Sequence, residues 1–243
     1  MALHFIDDTA GSVSVGGTLT LTGAEAHHAA AVRRVRVGEA VTVTDGRGTW
    51  LEGACESVAP REVVVRISER RTEDAPRPRL TLAQALAKGD RDELAVQAAT
   101  ELGVDEIVPW QAARSVSRWE GPKAEKGRQR WSTIVREAAK QAHRAWLPEV
   151  LPVTTTGQLA ARASSERVLV LEPTADVRLS AIDLAGDASI VLVVGPEGGI
   201  SAEELERLET AGAQRVKLGD TVLRTSTAGP AALALVNARL GRW

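Results

Sequence analysis

The hydrophobic pattern divides the chain into two parts of different period. In the first 72 residues the apolar positions alternate over short, β-branched runs: Leu19–Thr22, Ala40–Thr44 and Glu62–Ile67. Alternation with a period of two predicts strands with one face buried. Asp45-Gly-Arg-Gly48 lies between two such runs and signals a hairpin, because glycine tolerates the positive φ of a tight turn. One Ala-rich stretch, Gly23 to Arg34, predicts a helix among the strands. Several short strands with one helix suggest a small barrel-like domain.

Residues 73–79 carry charges and two prolines and have no periodic apolar pattern, which predicts a stiff linker. Beyond Arg79 the pattern alternates between strand and helix. Strands are expected at 80–86, 106–109, 167–171, 190–194 and 214–218, the third and fourth as continuous apolar runs suited to a sheet covered on both faces. Helices are expected at 90–102, with Leu94, Ala98 and Leu102 on its apolar face, and at 122–143, with Trp131, Ile134, Val135, Ala138 and Ala142 in one stripe. Ser201-Ala-Glu-Glu204 reads as a capping box opening a helix to about residue 211, and a last helix runs from Thr225 to Leu240. The second part is therefore α/β with a mostly parallel sheet.

Composition narrows the function. Cys55 is the lone cysteine, so neither an internal disulfide nor a cysteine-based zinc site is expected. His27 and His28 are adjacent, and side chains about 100° apart on a helix do not converge on one ion. No apolar run is long enough to cross a membrane, and residues 1–8 lack the character of a signal peptide, so a cytoplasmic protein is expected. The net charge is only −2, but Arg114 to Arg144 holds nine Lys/Arg against three Glu. A local excess of that kind suits a polyanion, although a solvated helix face reads the same way. Trp119 and Trp131 flank the segment, where Trp119 is a candidate for stacking on bases and Trp131 fits the core stripe.

Chemistry concentrates at three places. Val191 to Val194 runs into Gly195-Pro-Glu-Gly-Gly199, a turn whose bare backbone allows close approach to a ligand. Leu218-Gly-Asp-Thr-Val-Leu-Arg-Thr225 again joins a strand to a helix, with Arg224 just before the helix and Thr225, Ser226 or Thr227 able to cap it. Glu137, Gln141 and Arg144 share one helix face, suited to contact RNA or a second subunit.

With Thr100-Glu-Leu-Gly-Val104, Arg114-Ser115 and Pro148, these segments form an ordered set spanning nearly the whole chain. The set resembles the RsmE-type small-subunit ribosomal RNA uracil-N3 methyltransferases of the SPOUT superfamily. The resemblance implies a PUA-like β-barrel domain that binds RNA (1–72), the linker (73–79) and a SPOUT domain with a C-terminal trefoil knot (80–243). It also implies S-adenosylmethionine (SAM) as methyl donor, a homodimer, and small-subunit ribosomal RNA or the 30S subunit as substrate. SAM is expected against Leu171, Glu172 and Pro173; Gly195, Glu197, Gly198 and Gly199; and Leu218, Gly219, Val222, Leu223 and Thr225. RNA is expected at Arg33, Arg34, Arg114, Arg128, Arg136 and Arg144.

Uracil N3 becomes a nucleophile only on losing its proton, and the charge released onto the ring is what a nearby cation would stabilise. Arg224 is the candidate for that role, and Glu197, or a water it orients, for the base. The alternatives are a SPOUT enzyme acting on tRNA or on a ribose hydroxyl, and an RNA-binding protein without turnover.

Overall fold

The computed structural model describes residues 3–186 and 188–243. It divides into two compact units, Met1–Ala75 with Ala139–Leu147 and Pro76–Ala138 with Pro148–Trp243. The segment Ala139–Leu147, which a linear reading assigns to the second part, thus counts with the first.

The first unit is a five-stranded sheet built from β1 (Leu3–Ile6), β2 (Thr18–Thr22), β3 (Ala40–Thr44), β4 (Thr49–Ala59) and β5 (Glu62–Thr72), in the order β1-β3-β4-β5-β2. β1 pairs with β3 in parallel, and the other described pairings of this sheet are antiparallel. The alternation delivers Leu19, Leu21, Val41, Val43, Val63, Val65 and Ile67 to one core with Phe5 and Leu51. Asp45 organises the expected turn, its Oδ1 accepting the Arg47 and Thr49 N–H groups at 2.7 and 3.0 Å.

The helix expected over 23–34 is shorter. An α-helical turn, α1 (Gly23–His27), widens into a π turn over His28–Val32, closed by Arg33 N–H on His28 O at 2.8 Å. The chain then reverses at Arg34, whose φ is +52°.

The second unit is a six-stranded parallel sheet. Its strands are β6 (Leu80–Ala85), β7 (Glu106–Trp110), β8 (Glu149–Val150), β9 (Arg167–Leu171), β10 (Ile190–Val194) and β11 (Gln214–Val216), in the order β11-β9-β10-β6-β7-β8. Successive side chains feed opposite faces. Leu82, Ile107, Leu169 and Leu192 enter one core with Val96, Trp131 and Leu233. Ala83, Val108, Val170 and Val193 enter another with Leu159 and Leu208. The helices are α2 (Arg91–Glu101), α3 (Pro122–Gln141), α4 (Thr156–Ala161), α5 (Ala202–Thr210) and α6 (Thr225–Arg239).

Two expectations are corrected here. On α2 the buried residues are Asp92, Ala95, Val96, Ala99 and Thr100, while Leu94 is 50% exposed. Small residues face inward because α2 lies against α6, tied by Asn237 Nδ2 donating to Leu102 O. Asp92 is drawn in to accept the Ala87 N–H at 3.0 Å. Helix α3 ends at Gln141 rather than His143. His143 N–H reaches Lys140 O (3.2 Å) and Arg144 N–H reaches Ala139 O (3.0 Å), the bond pair that terminates a helix through a left-handed residue. That residue is His143, at φ +52°, a conformation that disfavours an L side chain by about 1–2 kcal/mol.

Candidate active site

A cavity of about 450 Å³ opens in the second unit at the carboxyl ends of its parallel strands. Ligands in α/β folds gather at such ends, because loops leave them in one direction. Its walls are the end of β9 (Leu171) with Glu172 and Pro173, the β10 exit (Gly195 to Ile200 without Gly198) and the β11 exit (Lys217 to Thr225 without Asp220), with Val194, Arg91 and Ala228.

Each segment is fixed by its own bonds. Glu172 N–H donates to Val216 O at 2.9 Å, and its carboxylate accepts the Thr174 hydroxyl at 3.0 Å, which sets the turn at Pro173. After β10 the chain folds back so closely that a Cβ on Gly195 would stand 2.6 Å from Ile200 Cγ1. Gly199, at φ +73°, completes the turn with its N–H on Pro196 O (2.9 Å). Helix α5 then starts on the capping box of Ser201 and Glu204. The β11 exit is clamped from outside by Arg178 on Asp220 at 2.8 Å.

Thr225 was expected as a possible cap of α6, yet no side chain caps that helix. Its hydroxyl instead donates to Gly195 O at 2.9 Å and accepts from Gln84 Nε2 at 2.9 Å. Thr225 is 7% and Gln84 0% exposed, so this chain of bonds ties the ends of β6, β10 and α6 together out of water.

Polar groups face the cavity from two sides. Arg224 lies at the N-terminal end of α6 and is exposed. Opposite in sequence, Glu197 Oε1 accepts from Arg91 Nη1 at 2.8 Å and from Lys88 N–H at 3.1 Å. Partial burial would raise the Glu197 pKa, but its own N–H, the Lys88 N–H and the Arg91 guanidinium outweigh it and hold the carboxyl below its ordinary value. A carboxylate so stabilised is a weak proton acceptor.

Of the residues expected to meet a cofactor, all line the cavity except Gly198. A Cβ there would point at Arg114 Cβ, 3.3 Å away, and Arg114 Nη1 donates to Gly198 O at 3.0 Å. Sequence reading missed Arg91, Lys217 and Gln84. Arg91 and Gln84 lie at or just beyond the carboxyl end of β6, so the rule about strand ends was the available signal.

The candidate RNA contacts scatter. Arg33 and Arg34 are exposed on the first unit, and Arg114 is exposed on the second. Arg128 is paired with Glu125 at 2.9 Å, while Arg136 and Arg144 are half-buried. Arg130 pairs with Glu93, so part of the basic excess is neutralised within the fold. Trp131 is 1% exposed and Trp119 packs edge-on against it at 5.0 Å, so this pair is core rather than a stacking platform. Among the described residues no group of three His, Cys, Asp or Glu is placed to hold a metal, and no helix is long and apolar enough to cross a membrane.

Comparison with known proteins joins both units to one set of relatives. A family described as the RNA methyltransferase domain matches residues 73–237, and one described as the RNA methyltransferase PUA domain matches residues 21–68. Ribosomal RNA small subunit methyltransferase E of Mycobacterium bovis is 42% identical, the match covering 100% of this chain and 94% of the relative. The protein of that name from Bacillus subtilis is 34% identical over 98% of this chain and 96% of its own. The crystal structure of ribosomal RNA small subunit methyltransferase E from Neisseria gonorrhoeae bound to S-adenosyl methionine superposes with a TM-score of 0.88 at 31% identity, covering 98% of each chain.

Proposed function

This chain belongs to the ribosomal RNA small subunit methyltransferase E family, and we propose that it methylates N3 of a uridine in small-subunit ribosomal RNA with SAM as donor. The single observation that carries the reading is the cavity framed by the β9, β10 and β11 exits. Its volume of about 450 Å³ lies within the roughly 300–1,000 Å³ of small-molecule sites. Its walls suit SAM: apolar side chains at Leu171, Val194, Ile200 and Leu218, and open space where a Cβ on Gly219 would meet nothing within 4 Å. Gly195, Gly199 and Gly219 present bare backbone to it.

When bound, SAM supplies a methyl group on a sulfonium, open to in-line displacement. The protein's part is to hold the base in line and to stabilise the charge it acquires. Arg224 faces the cavity from the N-terminal end of α6, so it is the cation for the oxygens of a deprotonated uracil. Glu197, held ionised by Arg91 and the Lys88 N–H, orients the water that accepts the N3 proton and does not take that proton directly.

In this reading residues 1–72 form the PUA-like RNA-binding domain, 73–79 the linker and 80–243 the catalytic domain. Arg33, Arg34 and Arg114 give it exposed cations for phosphate. In the same reading the chain acts as a homodimer. A ribosomal substrate supports a cytoplasmic location. The test is nucleoside mass spectrometry of small-subunit rRNA after incubation with the protein and labelled SAM. Labelled N3-methyluridine is the expected product. A ribose-methylated product, a labelled tRNA, or no SAM binding would replace the reading with one of the alternatives.

A further inference from the structure

The first unit contains a column of rings that the cavity of the second does not use. The Arg71 guanidinium lies 4.6 Å from the centre of the Trp50 ring. His4 stacks on Trp50 at 4.6 Å and 19° between planes. His143 stacks on His4 at 5.1 Å and 25°. Trp50 and His4 are buried, whereas His143 is half-buried, so the column ends in a ring that still meets solvent.

The backbone gives no reason for a ring at 143. His143 occupies the left-handed position that closes α3, where glycine fits without strain. A side chain held against that preference, and stacked, is an outlier from which a role can be sought.

Both imidazoles are predominantly neutral at neutral pH. Burial, then the His143 charge, pushes His4 down to about 4, and burial also lowers His143, helped by the nearby Arg33 charge. Neutral rings present π faces. Arg33 and Arg34 stand exposed where the π turn ends, adding positive charge beside the last ring. An aromatic face flanked by cations is the arrangement that takes an unpaired nucleobase and its phosphates.

We propose that His143 is a nucleobase-stacking subsite of the first unit. One unpaired base of the bound RNA stacks on the solvent-accessible part of its imidazole and extends the column, while Arg33 and Arg34 meet the flanking phosphates. This rests on the reading that the chain acts on RNA.

The closing position offers a clean test, because Gly and Asn both accept its backbone conformation. His143→Gly and His143→Asn are compared with the unaltered protein by fluorescence anisotropy, folding being checked by circular dichroism. The probes are a labelled single-stranded rA12 and an abasic twelve-mer with the same phosphates. The ringless variants should bind rA12 about five- to twentyfold more weakly and the abasic strand within about twofold of the unaltered protein. Arg33→Ala with Arg34→Ala should flatten the salt dependence for both strands. Unchanged rA12 affinity, or an equal loss on both strands, overturns the subsite. So does failure of both ringless variants to fold, which would make the ring a strut. An unaltered protein that methylates no rRNA yet loses rA12 selectively with the ring refutes the enzymatic reading alone. Normal methylation with an indifferent His143 refutes the subsite alone.

Discussion

Replacing Thr225 by Val tests whether the cavity is held by the hydroxyl that joins its walls. Valine nearly matches threonine in shape, so no cavity forms and the effect is that of the lost polar atom. Two bonds disappear, to Gly195 O and from Gln84 Nε2, both 2.9 Å. Each is worth about 1 kcal/mol net, and a buried group left unsatisfied costs about 1–3 kcal/mol. Gln84 keeps one bond, Nε2 to Ala85 O at 3.1 Å, but it is fully buried and its Oε1 already has no partner. The sum is about 2–3 kcal/mol, which for a unit of this size lowers Tm by about 5–10 °C. Scanning calorimetry reads that shift, and titration calorimetry should show SAM affinity falling about tenfold or more as Gly195 and the start of α6 come apart. Thr225→Ser keeps the hydroxyl and should lose about 1 kcal/mol at most. A Val variant within about 1 °C of the unaltered protein, with unchanged SAM affinity, would refute the bonded wall.

Three other outcomes are expected. Arg224→Ala should reduce turnover about 10²–10³-fold, the loss typical of one preorganised donor, and Arg224→Lys by less, with SAM affinity falling less than about tenfold; parallel loss of binding and turnover would make Arg224 a cofactor ligand instead. Gly199→Ala should weaken SAM binding more than Gly198→Ala, since Gly199 lines the cavity at φ +73° whereas Gly198 faces Arg114; the reverse order in calorimetry would move the cofactor to the other side of the turn. His4 has a folded pKa of about 4 against an ordinary 6.5, so between those values the unfolded chain binds the extra proton and the folded one does not. Stability is therefore full above pH 6.5 and falls by about 3 kcal/mol on approaching pH 4; His4→Gln should flatten urea stability over that window, and an unchanged slope would remove His4 as its source.

The second unit was the more legible part of the sequence because its strands are buried on both faces. Arg167–Leu171 and Ile190–Val194 coincide with their apolar runs, since in a parallel sheet covered by helices nearly every side chain must be apolar. The same logic misleads on α2. Leu94 is the larger hydrophobe, but the helix meets α6 through Ala95 and Ala99, and close approach of two helices favours small residues over bulky ones. In the first unit the hairpin turn at Asp45–Gly48 marks a strand after it, but the extent of β4 was not legible, because its pairing with β5 slips at Glu52/Gly53 and Cys55/Ser57, which breaks the alternation that marks a strand. The end of α3 escaped for a related reason. Its closing residue is His143 rather than glycine, so the usual stop signal was missing.

The site shows where such reading stops. Chain order locates the segments, because a parallel sheet gathers the exits of β9, β10 and β11 at one end whatever residues they contain. It does not fix the direction of a side chain within an exit. Gly198 and Gly199 are neighbours, yet one backs onto Arg114 and the other onto the cavity. Thr225 looks like a helix cap and is a tie between walls. Glu197 looks like a base until Arg91, 106 positions away in sequence, is found on its carboxylate. Direction is decided by partners that the sheet brings together from distant positions. For that reason Arg224, whose neighbours in the sequence are uninformative, stands or falls on the turnover of its variants.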